Sequence, residues 1–461
     1  MSKNKPTIPS GTRDFGPEKM MRRNFIFGEI KKIFTNYGFL PLETPAMENL
    51  DVLTGKYGDE GDKLIFKVLN SGNFLEKIDQ AILSSGYKDV TSKISKKALR
   101  YDLTVPFARY VAMNRNDIHF PFKRFQIQPV WRADTPQKGR YREFYQCDAD
   151  VVGTNSLLCE TEIILLINDV FKALNILNFT IKINNRKILE GIAHLFQLEN
   201  NLTDLTVAID KLDKIGAEGV IAELIKKGIE PIVSNNVVSY FTNYQNQEDN
   251  LSKLNYFENE FIKNNIEIGS KGIKEIKEVL SYIEAAKISK SNIEFDVTLA
   301  RGLSYYTGAI IEVKANDVQM GSISGGGRYD NLTGVFGLAG VSGVGISFGV
   351  DRIYDVMEEL NLFPENKLTD TKVLFCYFDI KGSNFILPFV QQLRSLGIPS
   401  ELYLESGKIK KQMEYANKRN IPFVVVIGEE ELKSHLFTFK NMLNGEQTRL
   451  SLEDILIKLT T

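Results

Sequence analysis

Residues 132–146 read Arg-Ala-Asp-Thr-Pro-Gln-Lys-Gly-Arg-Tyr-Arg-Glu-Phe-Tyr-Gln, three arginines and a lysine around a Pro-Gln-Lys-Gly turn. A guanidinium grips phosphate through a planar fork that a lysine ammonium lacks. The aromatic-polar alternation after the turn predicts a strand, in which every second side chain shares a face. Arg140, Arg142, Phe144 and Gln146 are therefore expected to point one way, with Arg132 on the strand before the turn. Such a hairpin suits a nucleotide: guanidinium for phosphate, Phe144 for the base, Gln146 for a polar group beyond. An isolated arginine-rich turn reads first as a solvated basic hairpin, and it is the remainder of the chain that overturns that reading.

Its 461 residues suggest two to four domains with ample core. With 43% hydrophobic and 25% charged residues, composition argues against disorder. The net charge of -1 announces no nucleic-acid partner in bulk. Its distribution does, because Lys93–Arg142 carries twelve Lys/Arg against Asp102, Asp117 and Asp134. Cys147, Cys159 and Cys376 are too scattered for a disulfide framework or zinc site, and His119, His194 and His435 are equally dispersed. No protein-bound metal is expected. Neither a signal peptide nor an apolar run of bilayer length is evident, so a cytoplasmic location is expected, with no membrane partner.

The elements that must position the hairpin follow. Residues 17–38 predict an amphipathic helix opened by Pro17 and stopped by Gly38. Phe39–Met47 reads as a strand carrying Pro41 and Pro45, which places it at an edge or interface. Residues 98–153 alternate like an antiparallel sheet, and 156–176 predict a helix with Ser156 as N-cap. A helical insertion spans 195–290, whereas twelve of 34 glycines crowd between Gly302 and Gly349, implying close backbone approach. After a linker near 362–371, apolar strands at 373–378, 398–403 and 422–427 alternate with helices at 383–395 and 407–419. That pattern predicts a β-α-β-α-β domain.

In this order the pieces resemble the class II aminoacyl-tRNA synthetases. The hairpin is similar to their motif 2 (about 123–153). The helix and strand with Pro45 resemble motif 1 (about 17–47), the dimer element, and Gly343-Val-Gly345-Ile-Ser-Phe-Gly349-Val-Asp-Arg352 resembles motif 3 (about 341–356). Leu99–Arg109 and Arg301-Gly-Leu-Ser-Tyr305-Tyr306-Thr-Gly308, followed by Gly325-Gly-Gly-Arg-Tyr-Asp330, resemble the histidyl-tRNA synthetase branch, as does the opening Gly11-Thr-Arg-Asp-Phe15. Asp102 and Asp150 stand where many bacterial members carry glutamate, a choice that resembles a eukaryote-like subgroup.

The resemblance implies an α+β catalytic core over 1–190 and 291–361, its mainly antiparallel sheet flanked by helices. It also implies the mostly helical insertion at 195–290 and a C-terminal α/β anticodon-binding-like domain with a mixed sheet at 372–461. The implied reaction joins L-histidine to ATP as histidyl-adenylate, then passes histidine to the 3′ end of tRNA(His), with Mg²⁺ and a homodimer expected. Arg132, Arg301 and Arg352 are the implied catalytic cations, and Arg140 and Phe144 are further ATP contacts. Asp102, Thr104 and Gln146 would take the α-ammonium of histidine, while Asp150, Tyr305 and Tyr306 would read its imidazole. Arg132 and Arg301 would also meet the histidine carboxylate. Gln137 and Lys138 in the turn are expected to meet the tRNA acceptor end. Competing readings are a non-catalytic histidine-binding regulatory paralogue of ATP phosphoribosyltransferase, a tRNA-sensing module, and a class II enzyme for another amino acid. The arginine set and residues 372–461 oppose the first, the absence of room for a partner domain the second, and the Arg301–Tyr306 run the third.

Overall fold

The computed structural model describes residues 6–244, 247–287, 292–300, 305–364 and 371–460. They form two compact units, one of Met1–Asp14 with Phe25–Leu362 and one of Phe15–Asn24 with Phe363–Thr461.

The larger unit is built on an eight-stranded sheet. Its strands are β1 (Leu40–Pro41), β2 (Phe122–Trp131), β3 (Glu143–Val152), β4 (Phe179–Asn185), β5 (Ile293–Phe295), β6 (Ala309–Ala315), β7 (Ser324–Tyr329) and β8 (Gly343–Gly349). Their order is β1-β2-β3-β8-β7-β6-β4-β5. The six inner strands are antiparallel, and β1 and β5 join the edges in parallel.

The two faces of this sheet differ in chemistry because strand side chains alternate. On one face lie α1 (Pro17–Asn36) and α3 (Leu158–Ala173), separated in sequence by α2 (Thr104–Met113). Phe34 of α1 is fully buried against Phe125 and Phe348, and Phe171 of α3 meets Phe348 and Phe179. Each such phenylalanine contributes roughly 1.5–3 kcal/mol by leaving water. The opposite face carries Phe144, Gln146, Asp148 and Asp150 of β3 with Gly345 and Ser347 of β8, all lining one cavity. The helices thus take the apolar side, and the polar side stays available for a ligand.

α1 ends as expected, with Gly38 at φ +77° in the left-handed region that glycine favours. The strand expected over Phe39–Met47 is instead two, β1 and Met47–Asn49, the latter in a separate three-stranded sheet. Residues 104–113 are a helix, not part of a sheet. The Asp102 carboxylate accepts the Val105 N–H at 3.1 Å, and Pro106 sits in the first turn where its missing N–H is harmless. Ser156 accepts from Leu158 N at 3.3 Å but lies one residue before the cap position, which Leu157 occupies. Helices α4 (Arg186–Leu195), α5 (Leu202–Ile209), α6 (Leu212–Lys226), α7 (Pro231–Tyr244), α8 (Asn250–Lys263) and α9 (Glu267–Ala285) form the helical insertion and its approach, and α10 (Val350–Glu359) follows β8.

The smaller unit holds a five-stranded mixed sheet of β9 (Val373–Tyr377), β10 (Ser400–Leu402), β11 (Phe423–Ile427), β12 (Phe437–Asn441) and β13 (Gln447–Leu450). Its order is β10-β9-β11-β12-β13, with the first three parallel. Helices α11 (Ile380–Ser395) and α13 (Leu452–Thr460) follow in this unit, with α12 (Ile409–Lys418) between them in sequence. Val373, Phe375 and Ile427 pack with Ile386, Val390 and Ile455, whereas Leu374, Cys376 and Val424 pack with Ala416. The β12–β13 hairpin extends the expected β-α-β-α-β pattern.

Candidate active site

The cavity on the polar face encloses about 460 Å³. One end is cationic. Arg132, just beyond β2, gives its Nε to Tyr101 O at 3.0 Å and lays its guanidinium over the Tyr101 ring at 4.3 Å, with Phe144 at 5.1 Å. Arg352 of α10 donates from Nε to Gly139 O at 2.8 Å and from Nη1 to Ser322 O at 2.6 Å, tying the hairpin turn to the loop before β7. Burial depresses the Arg352 pKa, and the charges of Arg140 and Arg132 depress it further. Three guanidiniums held close enough to repel one another make a site for a polyanion. Asp134 and Glu312 also line this cavity.

The turn has a defined geometry. Gln137 and Arg140 exchange backbone hydrogen bonds at 3.1 and 2.9 Å, and Gly139 takes φ +71°. A Cβ at Gly139 would also meet Met320 Sδ at 2.9 Å. Arg140 lines the cavity, whereas Gln137 and Lys138 are exposed outside it, Lys138 within 3.1 Å of Glu359.

Arg142 does not join Arg140 and Phe144 on the cavity face. The strand begins only at Glu143, and the Arg142 guanidinium is taken by Asp134 O (3.1 Å) and Ser10 O (3.3 Å). Its backbone N–H donates to Gly11 O at 2.8 Å. Arg142 therefore fastens the N-terminal segment. The neighbouring Arg13 stacks on Tyr141 at 3.2 Å and pairs with Asp351, whose second oxygen accepts Tyr145 N at 3.2 Å. Asp351 precedes Arg352, so this contact holds the start of α10.

The other end is anionic. Asp102 is buried, accepting from Tyr57 Oη (2.9 Å), Val105 N (3.1 Å) and Tyr305 Oη (3.1 Å). Burial raises its pKa, against those donors and Arg132. Thr104 lines the cavity and hydrogen-bonds the Tyr305 hydroxyl. Tyr306 stands edge-on to Tyr305 at 5.2 Å, and burial raises both phenols. Asp150 accepts from Tyr329 Oη at 2.6 Å and lies 2.9 Å from the fully buried Arg124. Arg124 and Asp150 are direct cross-strand partners. On the other flank Asp150 faces Gly345, where a Cβ would come within 2.1 Å of its Oδ1. Only glycine leaves that carboxylate room.

The structure thus gathers Asp102, Thr104, Arg132, Arg140, Phe144, Gln146, Asp150, Tyr305, Tyr306 and Arg352 around one cavity. Arg301 lies outside the described residues. Sequence reasoning missed Asp148, Arg124, Ser347, Tyr57 and Tyr329 as parts of this region. Asp148 was within reach of it, since it falls between Gln146 and Asp150 on the same strand face. Among the described residues no group of three or more His, Cys, Asp and Glu is placed to hold a metal ion.

Comparison with known proteins fits this geometry. A crystal structure of histidyl-tRNA synthetase from a Nostoc species superposes with a TM-score of 0.82 at 30% identity, covering 99% of each chain. A Bacillus halodurans structure titled as an ATP phosphoribosyltransferase regulatory subunit/histidyl-tRNA synthetase shares the fold, with a TM-score of 0.70 at 19% identity, over 93% of this chain and 99% of that one. The fold is that of the class II aminoacyl-tRNA synthetases. A family model described as histidyl-tRNA synthetase matches residues 87–353, and one described as an anticodon binding domain matches 383–461. The histidine–tRNA ligase of Cytophaga hutchinsonii is 57% identical over 99% of both chains, and that of Christiangramia forsetii is 54% identical over 97% of both. The chain belongs to the histidyl-tRNA synthetase family. These relatives are bacterial, and the expected eukaryote-like subgroup finds no support among them.

Proposed function

We infer that the chain is a histidine–tRNA ligase: it activates L-histidine with ATP to histidyl-adenylate and pyrophosphate, then transfers histidine to the 3′ end of tRNA(His), releasing AMP. The observation that carries this reading is one cavity with a guanidinium cluster at one end and buried carboxylates at the other. The first suits a triphosphate, the second a ligand carrying an ammonium and an imidazole. The regulatory and sensing alternatives are not favoured, because relatives matched along the full chain are ligases.

The histidine carboxylate is already ionised, so adenylation needs no general base. It attacks the α-phosphorus, and the bond to the pyrophosphate oxygen breaks. What the protein contributes is position and stabilisation of charge on the phosphate oxygens. Arg132 would meet the α-phosphate and the histidine carboxylate, Arg140 the nucleotide, and Arg352 the γ-phosphate, with Phe144 against adenine. Asp102, Thr104 and Gln146 would hold the α-ammonium, and Asp150, Tyr305 and Tyr306 the imidazole. Mg²⁺ commonly takes one or two carboxylates plus substrate phosphates, and the cavity's Asp134 and Glu312 fit that role. The ion would neutralise phosphate charge. A ribose hydroxyl of the tRNA terminus then displaces AMP, with Gln137 and Lys138 beside the acceptor end and residues 372–461 at the anticodon.

Exchange of pyrophosphate into ATP, measured with each of the twenty amino acids, tests the reading. Exchange with histidine alone supports it, and exchange with none refutes it. Arg301→Ala is expected to fold normally and lose exchange by about 10²-fold or more, as a missing charge-stabilising donor does; near-normal exchange would remove Arg301 from the α-phosphate site. A homodimer acting in the cytoplasm, where tRNA is charged, completes the proposal. The exposed edge at Leu40 supports the dimer. Among the described residues no helix is long and apolar enough to cross a membrane. Sedimentation should return twice the 52.2 kDa chain mass, and a value for one chain would exclude the dimer.

A further inference from the structure

Every hydrogen-bonding site in a buried pocket has to be filled by protein, water or ligand. Asp102 is engaged on both oxygens, by Tyr57 and Val105 on one and Tyr305 on the other. Asp150 is engaged by Tyr329 and paired with Arg124. Besides Asp150 Oδ2, which has the Arg124 ion pair and no hydrogen bond, two cavity-lining acceptors are buried with no hydrogen-bond partner among the described residues, Gln146 Oε1 and Asp148 Oδ1. Both belong to β3, two residues apart on the cavity face.

They are also connected. Gln146 donates from Nε2 to Ser347 Oγ at 2.6 Å, and the Ser347 hydroxyl in turn hydrogen-bonds the Asp148 carboxylate. Ser347 and Asp148 are direct cross-strand partners on β8 and β3. A serine hydroxyl has one hydrogen to give. Given to Asp148, it leaves Ser347 an acceptor towards Gln146, which fixes the amide with Nε2 towards serine and Oε1 away from it. A neutral side chain at 148 would weaken that constraint.

Building on the histidine reading, we propose that Asp148 is a further amino-acid-binding residue of this pocket: its free oxygen takes a donor of the bound amino acid's α-ammonium. Through Ser347, it also fixes the Gln146 carbonyl oxygen for the same group. The pocket then reads the ammonium with one more carboxylate than the family resemblance assigns. Burial and the nearby Asp150 and Asp102 push the Asp148 pKa up to about 7, against Arg124 and Ser347. A cationic ligand relieves that crowding, whereas a neutral analogue does not.

The test uses the full chain with Asp148→Asn, which preserves shape and removes charge, and Ser347→Ala. Histidine affinity is measured by calorimetry, and KM values by pyrophosphate exchange. Losing a charged hydrogen bond predicts a histidine Kd and KM raised roughly 10- to 100-fold in Asp148→Asn, with ATP KM changed less than about twofold. Ser347→Ala should raise histidine KM by a smaller factor, and little further in the Asp148→Asn background. Thermal stability of Asp148→Asn should stay level or rise, so weakened binding cannot be ascribed to loose folding. If the wild-type chain exchanges with histidine while Asp148→Asn keeps its histidine KM, only this inference falls. If the wild-type chain neither binds nor exchanges with histidine, the functional reading falls with it.

Discussion

Arg132→Ala should cut histidine-dependent pyrophosphate exchange by about 10²–10³-fold, the range seen when a transition-state charge donor is removed. The guanidinium lies between Tyr101 and Phe144, and its Nε is committed to Tyr101 O. That commitment aims the fork rather than consuming it. Arg352 is depressed in pKa partly by Arg132, so the two cations share one electrostatic site. Stability should fall by only about 0.5–1 kcal/mol, the scale of a partly exposed cation–π contact. Arg132→Lys should recover little, because an ammonium has no planar fork. Exchange within tenfold of wild type in a folded Arg132→Ala protein would remove the residue from the chemistry.

A loss of a different kind is expected from Arg124→Ala, about 3–5 kcal/mol of folding stability by urea unfolding. Arg124 is completely buried, pairs with Asp150 at 2.9 Å and its charge lowers the pKa of both Asp150 and Asp148. Without it, the buried carboxylates of Asp148 and Asp150 lose the guanidinium that offsets their charge. Adding Asp150→Asn to Arg124→Ala should restore part of the loss, since the orphaned charge goes too. The pH dependence has a definite sign. Asp148 is raised from 3.8 to about 7, with burial, Asp150 and Asp102 raising it and Arg124 and Ser347 opposing. The folded state therefore binds more protons than the unfolded between those values, and this group's contribution to stability falls as pH rises through that window. Arg124→Ala should steepen the fall, so its deficit should be larger at pH 8 than at pH 5. An equal deficit at both, or one below 1 kcal/mol, would contradict the pairing.

The parts of this architecture legible in sequence were those set by local rules. Alternation placed Phe144 and Gln146 on one face, and the crowding of glycines between Gly302 and Gly349 marked the close backbone approach found along β7 and β8. Pro17 and Gly38 bracketed α1 to within two residues. What failed depended on partners far away in the chain. Residues 104–113 alternate enough to suggest a strand, yet the Asp102 carboxylate and the packing of Phe107 and Val111 in a buried cluster favour a helix. Arg142 has the same local signal as Arg140, but carbonyls of Ser10 and Asp134 capture it. Arg124 and Tyr329 owe their importance to Asp150, which no local pattern reveals. Asp148 is the exception: it was missed, although periodicity alone places it on the cavity face of β3.

One strand carries residues from both ends of the cavity. From Phe144 to Asp150 the chain advances six residues, about 20 Å at the rise of an antiparallel strand. The cationic end and the anionic end are thus graduations on a single ruler whose backbone is hydrogen-bonded to β2 throughout and to β8 from Gln146 onward. The separation between them cannot be adjusted by a hinge. A one-residue deletion between them would turn every following side chain to the helix-covered face, so this segment should tolerate exchanges of residue type far better than changes of length.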